Sequence, residues 1–144
     1  MLSLARPLDR FPLARAQSVE ELAAALAQIF GTSVVKIGRD NKKISCVINH
    51  YQLKDIGISY SRYGAAARLQ FPENDFAAHG FPFGGRGKIE TNEITGPLSS
   101  KRSVTTSPGH DIKANISDDY EHLLLKINRQ ALVEKADRDR RCAY

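Results

Sequence analysis

The sequence has 144 residues, a net charge of +5, 42% apolar residues and 26% charged residues, the composition of one soluble globular domain and too apolar for an intrinsically disordered chain. Its 21 basic residues are scattered among 16 acidic ones and form no continuous stripe, so no specific DNA binding is expected of this chain alone. The longest apolar run, Leu22 to Phe30, falls far short of the ~20 residues that cross a bilayer, which argues against a membrane protein.

The opening stretch MLSLARPLDRFPLARA is interrupted by Arg6, Asp9 and Arg10, so it lacks the unbroken apolar segment of a secretory signal. Residues 1–16 read as an N-terminal arm. Cys46 and Cys142 fit no CxxC or Cys/His spacing, which points to a reducing cytoplasm. Ser18 with Glu21 forms a capping box, Leu22, Leu26, Ile29 and Phe30 share a helical face, and Gly31 offers a stop; together they predict a helix over 19–30.

Beyond Gly31 the apolar period changes to two. SVVKI, KISCVIN, DIGISYSRYG, AARLQF, DFAAHGFPF, GKIETNEI, RSVTTS, HDIKANIS and EHLLLKI are short, rich in β-branched and aromatic residues, and punctuated by Gly, Pro, Asn and Asp. They predict about eight or nine strands in a sandwich or barrel. The run KIGRDNKK over 36–43 reads as a solvated hairpin tip, and GGRG over 84–87 as a hairpin turn, since no helix and no Lys-Ser/Thr follow it as a phosphate loop needs. Pro82 marks an edge strand or a strand end. Asn128 is placed to cap a second helix starting RQALVEK, whose apolar face is lost in ADRDRRCAY. The fold class is mainly β, a barrel or sandwich with an N-terminal helix and a short C-terminal helix.

Residues able to carry chemistry are sparse. No two of His50, His79, His110 and His122 lie at metal-ligand spacing, and there is no HxH with a following Glu. Each reads as a structural histidine, and neither a metal nor another cofactor is assigned. No GxSxG elbow occurs, and Ser107 and His110 in SPGH have as a nearby acid only the adjacent Asp111, so no catalytic residue is assigned and no enzyme is expected. Alternation in IGISYSRYG sets Ile56, Ile58, Tyr60 and Arg62 on one face and Gly57, Ser59, Ser61 and Tyr63 on the other. With the isoleucines inward, Arg62 would point inside and require an anion. The same alternation groups His79 with Phe81 and Phe83. Tyr60, Arg62, His79 and Phe81 are therefore the candidate ligand-binding residues, suited to a small organic acid. The alternative is a filled core with Arg62 at its rim.

Taken in order, QSVEELAAALAQIFG, YQLKDIGISYSRYGA, GFPFGGRGKIE and SPGHDIKANISDDYEHLLLKINRQAL resemble the N-terminal regulatory domain of AraC/XylS-type transcriptional regulators, over roughly residues 17–135. The resemblance implies a cupin-like β-barrel that senses an effector or mediates dimerisation, ahead of helices and a helix-turn-helix pair that grips DNA. The expected organisation is an arm over 1–16, a sensor domain over 17–135 and a polar tail over 136–144, with the DNA-binding half absent. A tail without an apolar stripe favours at most a weak homodimer. The competing reading is a stand-alone cupin-like small-molecule binder or enzyme.

Overall fold

The structure is a computed structural model that describes residues 6–31, 34–37, 44–72 and 75–142. Eleven strands and two helices follow in the order β1 (Pro12–Ala16), α1 (Val19–Phe30), β2 (Val34–Ile37), β3 (Cys46–Gln52), β4 (Ile56–Arg62), β5 (Ala67–Phe71), β6 (Phe76–Gly84), β7 (Gly87–Glu90), β8 (Thr95–Leu98), β9 (Val104–Thr106), β10 (Ile112–Ile116), β11 (Glu121–Asn128) and α2 (Arg129–Cys142). They form a six-stranded sheet, β1-β3-β4-β11-β6-β9, and a five-stranded sheet, β2-β5-β10-β7-β8, antiparallel at every pairing. The mainly β class, two sheets with a helix near each end, is as the sequence predicts.

Helix α1 begins where its capping chemistry places it. The Ser18 hydroxyl accepts from the Glu21 amide at 3.1 Å, while the Glu21 carboxylate accepts from the Gln17 amide at 2.9 Å. Gly31 ends the helix at φ +84°, in the left-handed region that glycine adopts without a Cβ penalty. Leu22, Ala25, Leu26 and Ile29 are buried in one core with Cys46 and Ile48 of β3, Leu69 of β5 and Ile112, Ala114 and Ile116 of β10. The helix thus packs across the end of the β-body, where the Lys126 ammonium donates to the carbonyl of Ile29.

Several local readings need correction. The segment 12–16, read as part of an arm, is a strand paired with β3. Pro97 sits within β8, an edge strand that costs no ladder bond on its open side. The hairpin tip expected at 36–43 lies mostly outside the described residues, and its flanking strands β2 and β3 belong to different sheets, so they form no hairpin. GGRG likewise carries the chain from one sheet to the other, β6 to β7, instead of reversing it. Gly85 stands at φ +69° in that corner, where an added Cβ would fall 2.6 Å from the Tyr120 backbone. Pro82 lies within β6 beyond Gly80, the last residue that pairs with β9, so its missing amide faces an open edge. Helix α2 runs on through the polar stretch to Cys142, although Val133 to Arg138 are exposed.

Candidate ligand cavity

Strand parity decides what faces the interior. On β6 the buried residues are Phe76, Ala78, Gly80 and Pro82, alternating with Ala77, His79, Phe81 and Phe83. On β4 the inward set is Gly57, Ser59 and Ser61, continued by Tyr63. The central strand β11 bridges them: His122 lies opposite Ser61 and Pro82, and Leu124 opposite Ser59 and Gly80. From the other sheet come Leu69 and Phe71 of β5, Ile89 of β7, Leu98 of β8 and Ile112, Ala114 and Ile116 of β10. Small residues on both sheets, Ala78, Gly80 and Ala114, leave space that larger side chains would fill. The result is a cavity of about 80 Å³ with an almost wholly apolar wall.

Four polar side chains line it: Thr106, Tyr63, Tyr120 and His122. The Tyr63 hydroxyl is 3.5 Å from His122 Nε2 and the Tyr120 hydroxyl 3.3 Å from His122 Nδ1. Burial pulls the His122 pKa from 6.5 down to about 4, so at neutral pH the imidazole is uncharged. One ring nitrogen then donates and the other accepts, hence one tyrosine hydroxyl accepts a hydrogen bond from the ring and the other donates one to it. Burial also raises both phenols above the ordinary tyrosine range, which keeps them protonated. Thr106 is 7% exposed, and its hydroxyl has no hydrogen-bond partner.

The four residues expected to bind a ligand share one face, but it is the outer face of the six-stranded sheet. Tyr60 and Phe81 both lie opposite Leu123, while Arg62 lies opposite Glu121 and His79 opposite Leu125. Arg62 is exposed and lines no part of the cavity. The inward orientation deduced from Ile56 and Ile58 is therefore reversed. Those isoleucines join Phe81, Phe83, Leu123 and Leu125 in an apolar outer layer, while the inward side of β4 carries small residues, and at Gly57 an added Cβ would come 2.8 Å from the His50 ring. Tyr60 is nonetheless buried, donating to the Glu121 carboxylate at 2.6 Å and stacking on Phe83 at 5.9 Å. Its burial, with that carboxylate beside it, pushes its pKa up to about 12. His79 meets the Thr105 hydroxyl at 2.5 Å and the edge of Phe81 at 4.5 Å.

The segment before β1 covers another part of this face. Asn49, opposite Tyr60, is fully buried and donates to the Pro7 carbonyl at 3.0 Å, and Phe11 packs on Tyr51 at 4.6 Å. Sequence reasoning missed the Tyr63–His122–Tyr120 cluster and Thr106. The available signal was the run of small residues at alternate positions of β4 and β6, which marks the face toward a void better than the large apolar side chains do. Among the described residues no three His, Cys, Asp or Glu side chains gather into a metal-binding group, and no helix is long and apolar enough to cross a membrane.

Among known structures, the AraC-like transcriptional activator CuxR matches with a TM-score of 0.61 at 15% identity, over 73% of this chain and 42% of that one. This chain therefore spans less than half the length of that activator. A predicted oxalate decarboxylase from Thermotoga maritima matches with a TM-score of 0.56 at 12% identity, over 88% and 99% of the two chains. The cupin domain of Schizosaccharomyces pombe Cnp3 matches at 0.53 with 8% identity, over 72% and 88%. At these identities the likeness shows the cupin fold alone. No curated protein matches the sequence. The model of the AraC-binding-like domain, in contrast, matches residues 22–143, nearly the whole two-sheet body and α2, and by that match the chain belongs to the AraC-binding-like domain family.

Proposed function

We propose that this chain is the effector-sensing domain of an AraC-type transcriptional regulator and holds a small molecule in the cavity between its two sheets. The observation that carries the proposal is the cavity itself: a partly open, almost wholly apolar space whose lining includes the side chains of Thr106, Tyr63, Tyr120 and His122, in keeping with a small-molecule site. Its lining has one imidazole and no carboxylate, a poor set for the metal-assisted or acid–base chemistry of a catalytic cupin. The domain is accordingly proposed to be non-enzymatic and cytoplasmic, leaving DNA recognition to other parts of the regulator.

Gly80 supplies the test. An added Cβ there would meet Leu124 at an ordinary 3.5 Å, so Gly80→Leu would extend into the cavity from a backbone that tolerates a side chain. Thermal-shift screening of small molecules should find compounds that stabilise the wild type and not Gly80→Leu. Shifts of equal size in both proteins would remove the cavity from the site. Purification with one transition-metal ion per chain would instead favour a stand-alone cupin enzyme.

A further inference from the structure

We infer that the cavity selects an uncharged ligand, an aliphatic body carrying one hydroxyl or carbonyl group, and discriminates against carboxylates and amines; this rests on the effector-sensing reading above. The first argument is the wall. None of the side chains that line the cavity is a Lys, Arg, Asp or Glu, so a charged ligand would give up its hydration without gaining a counter-charge. Arg62, the cation that would have favoured an organic acid, lies on the other side of the sheet. Lys126 follows Leu124 on the inward face, but its ammonium is engaged by the Ile29 carbonyl and lies over the Phe76 ring, 5.4 Å from its centre.

The second argument is the unsatisfied hydroxyl. Buried polar atoms in folded proteins almost always have a partner, yet the Thr106 hydroxyl has none and its side chain borders the cavity. The hydroxyl itself is turned away from the open space of the cavity, and rotation about χ1 would bring it to a ligand hydroxyl or carbonyl, toward which it can both donate and accept. The third is the tyrosine–histidine cluster. Its two contacts, 3.5 and 3.3 Å, are long for hydrogen bonds, and exchange of tautomer lets the imidazole present a donor or an acceptor toward either phenol. Thus the tyrosine–histidine cluster beside Pro82 and the threonine beside Ala78 are separate polar points along the cavity wall, either of which suits an alcohol or a ketone and neither of which offers a fixed charge to an acid or an amine. At about 80 Å³ the space is roughly half that of the ~150 Å³ cavity that holds benzene, which limits the ligand portion inside to a few carbon atoms.

The experiment is a protein-observed NMR titration of the full chain with four probes of equal chain length, 1-butanol, 2-butanone, butanoate and butylammonium, on wild type, Thr106→Val and Gly80→Leu. Butanol and butanone are expected to bind the wild type with shifts at Thr106, Tyr63 and His122, and the two ions to leave those resonances in place. Thr106→Val, close in shape and free of the unpaired hydroxyl, should fold and bind both neutral probes about tenfold more weakly. Gly80→Leu should abolish binding. Butanoate or butylammonium binding as tightly as the neutral probes, in a manner sensitive to Gly80→Leu, would overturn the selectivity while leaving a cavity sensor intact. No Gly80-sensitive binding by any probe would overturn both.

Discussion

His122 is the residue at which burial has its clearest measurable effect. Its pKa falls from 6.5 to about 4 on folding because the charged imidazolium loses its hydration. Between those values the unfolded chain binds a proton that the folded one does not, so stability rises with pH across this window. The contribution is complete above about pH 6.5 and is lost as pH falls through about 4, by on the order of 3 kcal/mol. Urea unfolding between pH 4 and 7 should show this slope, and His122→Gln should flatten it. Gly85 makes a second residue-level case. Gly85→Ala meets both a positive φ and the Tyr120 backbone, whereas Gly109→Ala, at φ +87°, has nothing within 4 Å. The first substitution should cost about 2–4 kcal/mol and the second about 1, as read from denaturant midpoints.

At the scale of elements, α2 illustrates how a helix can persist without packing. Its first turn keeps Ala131 and Leu132 half-buried, and the next residues to Arg138 are exposed. Deleting residues 136–144 should therefore change the unfolding free energy by less than about 0.5 kcal/mol, whereas Ser18→Ala, which removes the N-cap bond of α1, should cost about 1 kcal/mol. Calorimetry of the two variants checks the contrast. Helix α1 was legible to its end residues because its caps are local chemistry. Most strands were legible from their period of two. Their orientation was not: β4 and β6 carry large side chains outward and small ones inward, and a single strand does not reveal which face its neighbours will crowd. Sheet membership was hidden for the same reason, so turn chemistry at 36–43 and 84–87 read as hairpins where the chain changes sheets. The site followed the parity. Tyr60, Arg62, His79 and Phe81 were correctly grouped on one face, but the polar residues of the cavity come from β9, from β11 and the residue before it, and from the residue after β4, which no linear spacing connects.

For the whole molecule, charge and surface shape set the outward behaviour. The six-stranded sheet presents Ile56, Phe81 and Phe83 at 37%, 43% and 41% exposure, beside the half-buried Leu123 and Leu125, while the 21 basic residues are scattered along the sequence among 16 acidic ones. Isolated chain should bind duplex DNA without sequence preference, and what binding there is should decline steeply between about 50 and 200 mM salt. Gel-shift titration with unrelated duplexes checks this; a sequence-selective, salt-resistant complex would show a recognition surface in the cupin body.

The place of β11 has a consequence for how the molecule is made. It is the last strand along the chain, yet it occupies an interior position of the six-stranded sheet, pairing β4 on one side and β6 on the other. Until residues 121–128 have left the ribosome, β1-β3-β4 and β6-β9 are two ribbons with open edges and no bond between them. Closure then requires contacts some 60 residues apart, such as that between Tyr60 and Glu121. Such topologies fold slowly, because chain entropy is surrendered before the distant pairings form, and an open sheet edge is a template for aggregation. A nascent chain stalled before Asn128 should thus be captured by chaperones, while one extended past α2 closes its own barrel.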